Sequence, residues 1–501
     1  MTGRRRWQQL YKASQQYCII DKTGSQVTTA LLMIIIITAP TTILQPTLTT
    51  ATDLPSDNNT TTTFTEYNNS SYTLVSSNQS TTSTSSSAAK TTNVTLRGLF
   101  TDLGDPGRWN QLLQPALDEL NRRHPDMNIQ IEYTDFPYNI TRERILDSLS
   151  SGEPVDIVSV DQIWLGEFAE KGLLRNLTDE FEQWGRLSDL YEANLDGCVY
   201  NNTLYGLWLW TDIRGMWYWK DMLQEAGIDP ESLKTWDGYI SAAVKLNDFF
   251  EEDNSVIQGV HLLGASHVPD MWYPYLWMLG GEILELREGH PTKGVYGFPS
   301  YNSSEGLRAM EFLKRQVDAG TEPQDRPYLD RAFVNRNFSV MLAGSWMPGF
   351  FPKESWPTLE QEVGFIPMFP VPNQTTQTST MMGGWELAIP STSQNSDLSW
   401  ELITILAEPE ILTPFLQEYV YLPTQKLLGE GLASEPLKES IPFFEEMVSM
   451  IPYGQSRPNI PEYPEIAEHI HQTIQQVYNG TASPEDALNT AAAKSADSLG
   501  W

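Results

Sequence analysis

Tyr205-Gly-Leu-Trp208-Leu-Trp210-Thr-Asp212-Ile-Arg214-Gly-Met-Trp217-Tyr-Trp219-Lys-Asp-Met-Leu-Gln-Glu-Ala-Gly-Ile-Asp-Pro230, with Thr235-Trp236 and a helix-like run close behind, is the stretch whose reading decides the fold. It sets a carboxylate, Asp212, and a guanidinium, Arg214, among five indoles between Trp208 and Trp236. Two readings stand side by side. Charged groups beside flat rings suit a polyhydroxylated ligand, whose hydroxyls bridge the charges while its C–H faces lie on the rings. The same indoles also suit a core, where Trp is highly buried on average.

Upstream, the pattern alternates strand and helix. Val94–Leu99 alternates as a strand. Arg108–Arg123 places Trp109, Leu112, Leu113, Ala116, Leu117 and Leu120 on one helical face, and His124-Pro125 ends it. Asn128–Tyr133 reads as a second strand and Thr141–Ser151 as a helix ended by Gly152. Val155–Val160 reads as a buried strand and Trp164–Lys171 as a helix closed by Gly172. Such a run predicts an α/β fold with a parallel sheet covered on both faces. Ligands of these sheets bind beyond the carboxyl ends of the strands, where Asp161 stands. Downstream, Trp236–Phe250 and Ser304–Val317 both carry helical spacing.

Several blocks then occur in one order. They include Val155-Asp-Ile-Val-Ser-Val-Asp161-Gln-Ile-Trp164, Glu167-Phe-Ala-Glu-Lys-Gly-Leu-Leu174, Gly206–Leu246 and Tyr273-Pro-Tyr-Leu-Trp-Met-Leu-Gly-Gly281. Gly344-Ser-Trp346, Gly383-Gly-Trp385-Glu-Leu-Ala-Ile-Pro390, Leu422-Pro-Thr-Gln425, Arg457-Pro458 and Gly480-Thr-Ala-Ser-Pro484-Glu-Asp-Ala-Leu488 follow. Across residues 93–501 this series resembles the maltose- and trehalose-type extracellular solute-binding proteins that feed ABC importers.

The resemblance implies a two-lobed periplasmic-binding-protein-like fold with a hinge of about three crossings. Lobe 1 is expected at 93–210 and 370–420, and lobe 2 at 211–369 and 421–501. The implied function is capture of a sugar, a di- or oligosaccharide, in the interlobe cleft for delivery to membrane permease subunits. Neither cofactor nor metal is implied, and the chain is expected to work as a monomer.

On the same resemblance the ligand-binding residues are Asp161, Trp164, Asp212, Arg214, Trp346, Gly384, Trp385 and Arg457. Asp161 also suits an N-cap for the helix beginning at Gln162, and Asp212 with Arg214 also suits a hinge salt bridge. Trp385 follows two glycines that let backbone approach a ligand. Trp164 and Trp272 fall on runs whose apolar spacing already explains them. The family often has Asn within a Tyr-Asn-Lys-Asp motif where this chain has Tyr218-Trp219-Lys220-Asp221, which loosens any transfer of ligand identity.

A length of 501 residues exceeds one compact core. The formal charge is −32, and so acidic a chain repels phosphate backbones, which argues against nucleic acid as a partner. Arg4, Arg5, Arg6, Lys12 and Lys22 make residues 1–26 basic and cytoplasmic by the positive-inside rule. Residues 27–44 are expected to be a signal or transmembrane anchor. About half of residues 45–92 are Ser or Thr, which predicts a linker. Localisation is therefore expected at the cell surface, tethered or secreted after cleavage.

Asn-x-Ser/Thr patterns at Asn139, Asn176, Asn201, Asn302, Asn337, Asn373 and Asn479, and others in the linker, agree with an exterior address. The two cysteines, Cys18 and Cys198, flank the apolar run and give no disulfide framework within the folded part.

Two other functions fit a secreted cleft: a glycan-active hydrolase and a surface glycan receptor outside transport. A glycosidase needs two carboxyl groups about 5–5.5 Å or 6.5–9.5 Å apart. No nucleophile elbow, phosphate loop or His-Glu-x-x-His pattern occurs, and the expectation is a binding protein rather than an enzyme.

Overall fold

The computed structural model describes residues 70–76, 92–101, 107–252, 258–262, 269–320, 322–323, 329–367 and 378–501. The basic segment, the apolar run 27–44, most of the linker and Asn373 lie outside them. Among the described residues no helix is long and apolar enough to cross a membrane.

Among the described residues the first element is strand β1 (Ser70–Val75), followed by β2 (Thr92–Thr101), helix α1 (Trp109–Arg123), β3 (Met127–Phe136), α2 (Tyr138–Ser151), β4 (Ile157–Asp161) and α3 (Gln162–Glu170). The face expected on α1 is the buried one, from Trp109 to Leu120. Gly152 ends α2 in the left-handed conformation, φ 79°, which glycine adopts without steric cost.

β5 (Gly206–Asp212) leads through Ile213 into β6 (Arg214–Trp219), and α4 (Trp236–Glu252), β7 (Gln258–Leu262), α5 (Tyr273–Met278), β8 (Leu284–His290) and β9 (Gly294–Pro299) follow. Then come α6 (Ser304–Asp318), β10 (Glu322–Pro323), β11 (Phe338–Gly344), β12 (Val363–Ile366), β13 (Thr380–Met381) and β14 (Gly383–Ala388). The last of these elements are β15 (Leu422–Pro423), β16 (Gly454–Gln455), α7 (Tyr463–Tyr478) and α8 (Pro484–Ser498).

Two sheets organise these elements. The first has the order β1-β3-β2-β4-β14-β5-β15 and the second β10-β7-β11-β6-β12. Each is the centre of one lobe. β5 belongs to the first and β6 to the second, so one hinge crossing lies at Ile213, whose N–H and carbonyl meet Ser345. A second runs between β12 and β14, partly outside the described residues. A third runs between β16 and α7.

Two expectations change. The first sheet is mixed rather than purely parallel: β2 is parallel to β3 and β4, but β14 is antiparallel to both β4 and β5. β14 and β5 are segments through which the chain crosses between lobes, so no covering helix forces them parallel. The second change concerns Ser70–Val75, inside the stretch read as linker, which pairs with the edge of β3. Its Tyr72 stacks on Tyr133 with centroids 4.8 Å apart, and Gln114 Nε2 donates to the Val75 carbonyl at 2.8 Å. The local alternation of Tyr72 and Leu74 is enough for an edge strand, though Ser and Thr dilute it. Leu422–Pro423 still pairs with β5, so the chain is within the first sheet beyond Tyr421. The seven sequon asparagines among the described residues, Asn93 included, are all exposed.

Candidate functional site

Strand β4 delivers Asp161 to its carboxyl end, and α3 begins on the next residue. The Asp161 side chain accepts from the Ile163 N–H at 3.4 Å, so it caps the helix. It does more than cap. Tyr138 donates its hydroxyl to Oδ2 at 3.0 Å, and Arg457 donates from Nη2 to Oδ1 at 3.1 Å. The other arm of Arg457, Nη1, lies 3.5 Å from Asp270 Oδ2. Burial of this guanidinium opposes its charge, yet Asp270 and Asp161 hold its pKa above the ordinary value.

Three rings surround this pair. Tyr138 stacks on Trp164 at 5.6 Å, and Trp385 meets both edge-on, at 5.8 Å from Trp164 and 5.9 Å from Tyr138. Trp385 sits there because it is the cross-strand partner of Asp161. It is half-buried, and Tyr138 is 43 % exposed, so ring surface remains open beside the ion pair.

Two residues back on β14, Gly383 pairs with Asp212. Asp212 forms an ion pair with Arg214, whose guanidinium lies 4.5 Å over the Trp346 ring. A Cβ on Gly383 would stand 3.0 Å from Asp212 Oδ1, so glycine leaves that carboxylate its space. Gly384 has a different task. Its φ is +145°, and a Cβ there would meet Trp208 Nε1 at 2.1 Å and the Trp210 carbonyl at 2.3 Å. Its smallness seats an indole, not a ligand.

The structure thus brings Asp161, Trp164, Trp385 and Arg457 together, and Asp212, Arg214 and Trp346 together, the first group beside Trp385 and the second beside Gly383 of strand β14. The five indoles of the opening stretch are all buried and serve as core. Trp210 stacks on Tyr421 at 5.4 Å, and Trp236 on Phe312 at 4.2 Å. Trp272 is buried as well.

Sequence reasoning missed Tyr138 and Asp270. Tyr138 lies two residues beyond the carboxyl end of β3, so the rule that selected Asp161 could have selected it. No local signal marks Asp270, which meets Arg457 only through the fold. Among the described residues no cluster of His, Cys, Asp or Glu suits a metal.

Two lobes around a hinge, with paired charges and open rings between them, define a binding protein that closes on a small solute. The signature of the bacterial extracellular solute-binding proteins matches residues 107–411, and the chain belongs to that family. A binding protein of Brucella abortus (strain 2308) is 25 % identical over 393 residues, covering 76 % of this chain and 89 % of the relative. The arabinooligosaccharide-binding protein of Bacillus subtilis (strain 168) is 24 % identical over 310 residues, 59 % of this chain and 66 % of that protein. Among solved structures, the sugar-binding protein MalE from Xanthomonas citri superposes with a TM-score of 0.67 at 18 % identity, covering 81 % of this chain and 97 % of that one. A solute-binding protein from Thermotoga lettingae bound with α-D-tagatose gives 0.65 at 23 % identity, 82 % and 100 %. These likenesses extend the two-lobed fold over nearly the whole described chain.

Proposed function

We propose that the chain captures a neutral sugar, a di- or oligosaccharide, in the interlobe cleft and hands it to the permease of an ABC importer. The observation that carries this reading is the open ring surface of Tyr138 and Trp385 beside the Asp161–Arg457 pair. Rings offer a sugar its C–H contacts, and the charged groups offer its hydroxyls charge-assisted bonds. Around the cleft stand three carboxylates, Asp161, Asp212 and Asp270, against two guanidiniums, Arg214 and Arg457. That excess of negative charge disfavours phosphates and uronates. The oligosaccharide and tagatose bound by relatives support the same ligand class.

All three carboxylates are tied to guanidiniums, which suits hydroxyl recognition better than the acid and base pair of a glycosidase. The chain is read as a non-catalytic monomer. Its first lobe corresponds to 93–210, 370–420 and the chain onward through Leu422–Pro423 to Arg457 and Asn459, its second to 211–369 and the chain from α7 onward, and its N-terminal residues act as surface tether or signal. Asp161, Trp164, Asp212, Arg214, Trp346, Trp385 and Arg457 are its ligand residues, with Tyr138 added.

A thermal-shift screen of the full-length chain against mono-, di- and oligosaccharides, sugar phosphates, amino acids and peptides tests this. A ligand at 100 times its Kd stabilises the fold by about 2.7 kcal/mol. A neutral sugar should shift the melt, and Trp385→Ala should shrink that shift; response only to peptides or phosphates overturns the ligand class.

A further inference from the structure

Arg457 is fixed to the first lobe by its backbone as well as by Asp161. Gln162 Nε2 donates to the Arg457 carbonyl at 2.8 Å. Two residues on, Asn459 Oδ1 accepts from the Gly166 N–H at 2.6 Å, while its Nδ2 donates to the carbonyls of Gly197 and Val199 at 3.0 and 2.9 Å. The seat is tight: a Cβ on Gly166 would lie 2.7 Å from the Asn459 carbonyl oxygen.

Asp270 belongs to the other lobe. It stands three residues before α5, whose Tyr275 packs edge-on against Phe312 of α6, with centroids 5.0 Å apart. The Arg457–Asp270 contact therefore spans the cleft, and when the lobes part Arg457 stays with Asp161 while Asp270 leaves. A second spanning contact lies at the far end of α3, where Lys293 Nζ in the β8–β9 turn is 3.4 Å from Glu170 Oε1. The two differ in solvation. The side chains of Arg457 and Asp270 are 8 % and 14 % exposed, those of Lys293 and Glu170 33 % and 44 %. Solvent and salt screen the second pair far more than the first.

We propose that Arg457 and Asp270 form the closure latch of this protein, and that Asp270 is a positioning residue that sets how fast ligand is released. The proposal rests on the reading of the cleft as a sugar site. Capture happens before the latch forms, whereas release must break it. Asp270 therefore acts on dissociation more than on association, as truncation of a buried charge pair does at other interfaces.

The test uses the full-length chain and its Asp270→Asn and Lys293→Met variants, with arabinotriose and maltotriose as probes. Stopped-flow tryptophan fluorescence gives the association and dissociation rates, and small-angle X-ray scattering gives the ligand-free radius of gyration. Asp270→Asn should speed release by about tenfold or more with association little changed. Lys293→Met should change release by less than about threefold. Release unchanged within about twofold in Asp270→Asn overturns the latch. So does an altered preference between the two trisaccharides with unchanged release, because Asp270 would then be touching sugar. If the wild type binds neither probe, these two trisaccharides are excluded as its ligands and the rates are measured with the sugar that the thermal-shift screen identifies. The ligand-free radii should be equal, because the latch forms only on closure; a larger ligand-free radius in Asp270→Asn would show that the pair already holds the empty cleft and would overturn this order of events.

Discussion

Glu386 and Trp208 stand opposite each other on the neighbouring strands β14 and β5, both buried, and neither carboxyl oxygen of the one nor the indole N–H of the other has a hydrogen-bond partner among the described residues. Burial pushes the Glu386 pKa well above the ordinary carboxylate value, and the charge of nearby Asp161 adds to the push. The folded state thus holds a proton that the unfolded chain, with a pKa of about 4.3, gives up. The cost to stability is absent below that pH, grows as pH rises toward the folded pKa, and reaches about 1.4 kcal/mol for each unit of separation. Glu386→Gln, which cannot ionise, should melt progressively higher than the wild type as pH is raised from 4 to 8. A difference in melting temperature that stays constant with pH would show that Glu386 is ionised in the folded state.

Gly384→Ala should destabilise without touching any ligand. The new methyl would need the left-handed half of backbone space at φ +145° and would overlap the Trp208 indole and the Trp210 carbonyl. Overpacking of this kind typically costs about 1–3 kcal/mol, and backbone strain adds to it. Chemical denaturation measures it, and wild-type stability in this variant would mean the strand is less tightly packed than described.

Asp212→Ala should lose both ligand and stability, because it leaves the Arg214 charge buried without its carboxylate. Breaking a buried pair from one side costs about 3–5 kcal/mol, moderated here because the Asp212 side chain is 16 % exposed. The double variant Asp212→Ala with Arg214→Met should recover much of the stability but not the sugar binding. If the single variant melts like the wild type, the pair contributes only to recognition.

What the sequence discloses and what it hides divide along physical lines. The face of α1 from Trp109 to Leu120, the glycine stops and the position of Asp161 follow from period and local geometry, and all appear in the fold. The indoles of the opening stretch could not be divided between core and cleft. A strand alternates its faces, but a strand buried on both sides, as β5 and β6 largely are, gives no polar alternation to read. Arg457 is legible as a residue type only, since its meaning comes from Asp161 and Asp270, separated from it by 296 and 187 positions in the chain. Glycine at 384 looked like room for a ligand because a sequence does not show which neighbour fills the missing Cβ.

The crossings between the lobes are tied to one another as well as to the lobes. Thr380 Oγ1 accepts from the Arg214 N–H at 2.9 Å and donates to the Arg214 carbonyl at 3.0 Å, and Thr380–Met381 pairs in parallel with Gly454–Gln455. Three strands of chain stitched side by side cannot shear past one another without losing those bonds, but they can twist together. They act as a single axle. An opening that keeps those bonds is a rotation about one line, which narrows the open shapes the two lobes can take.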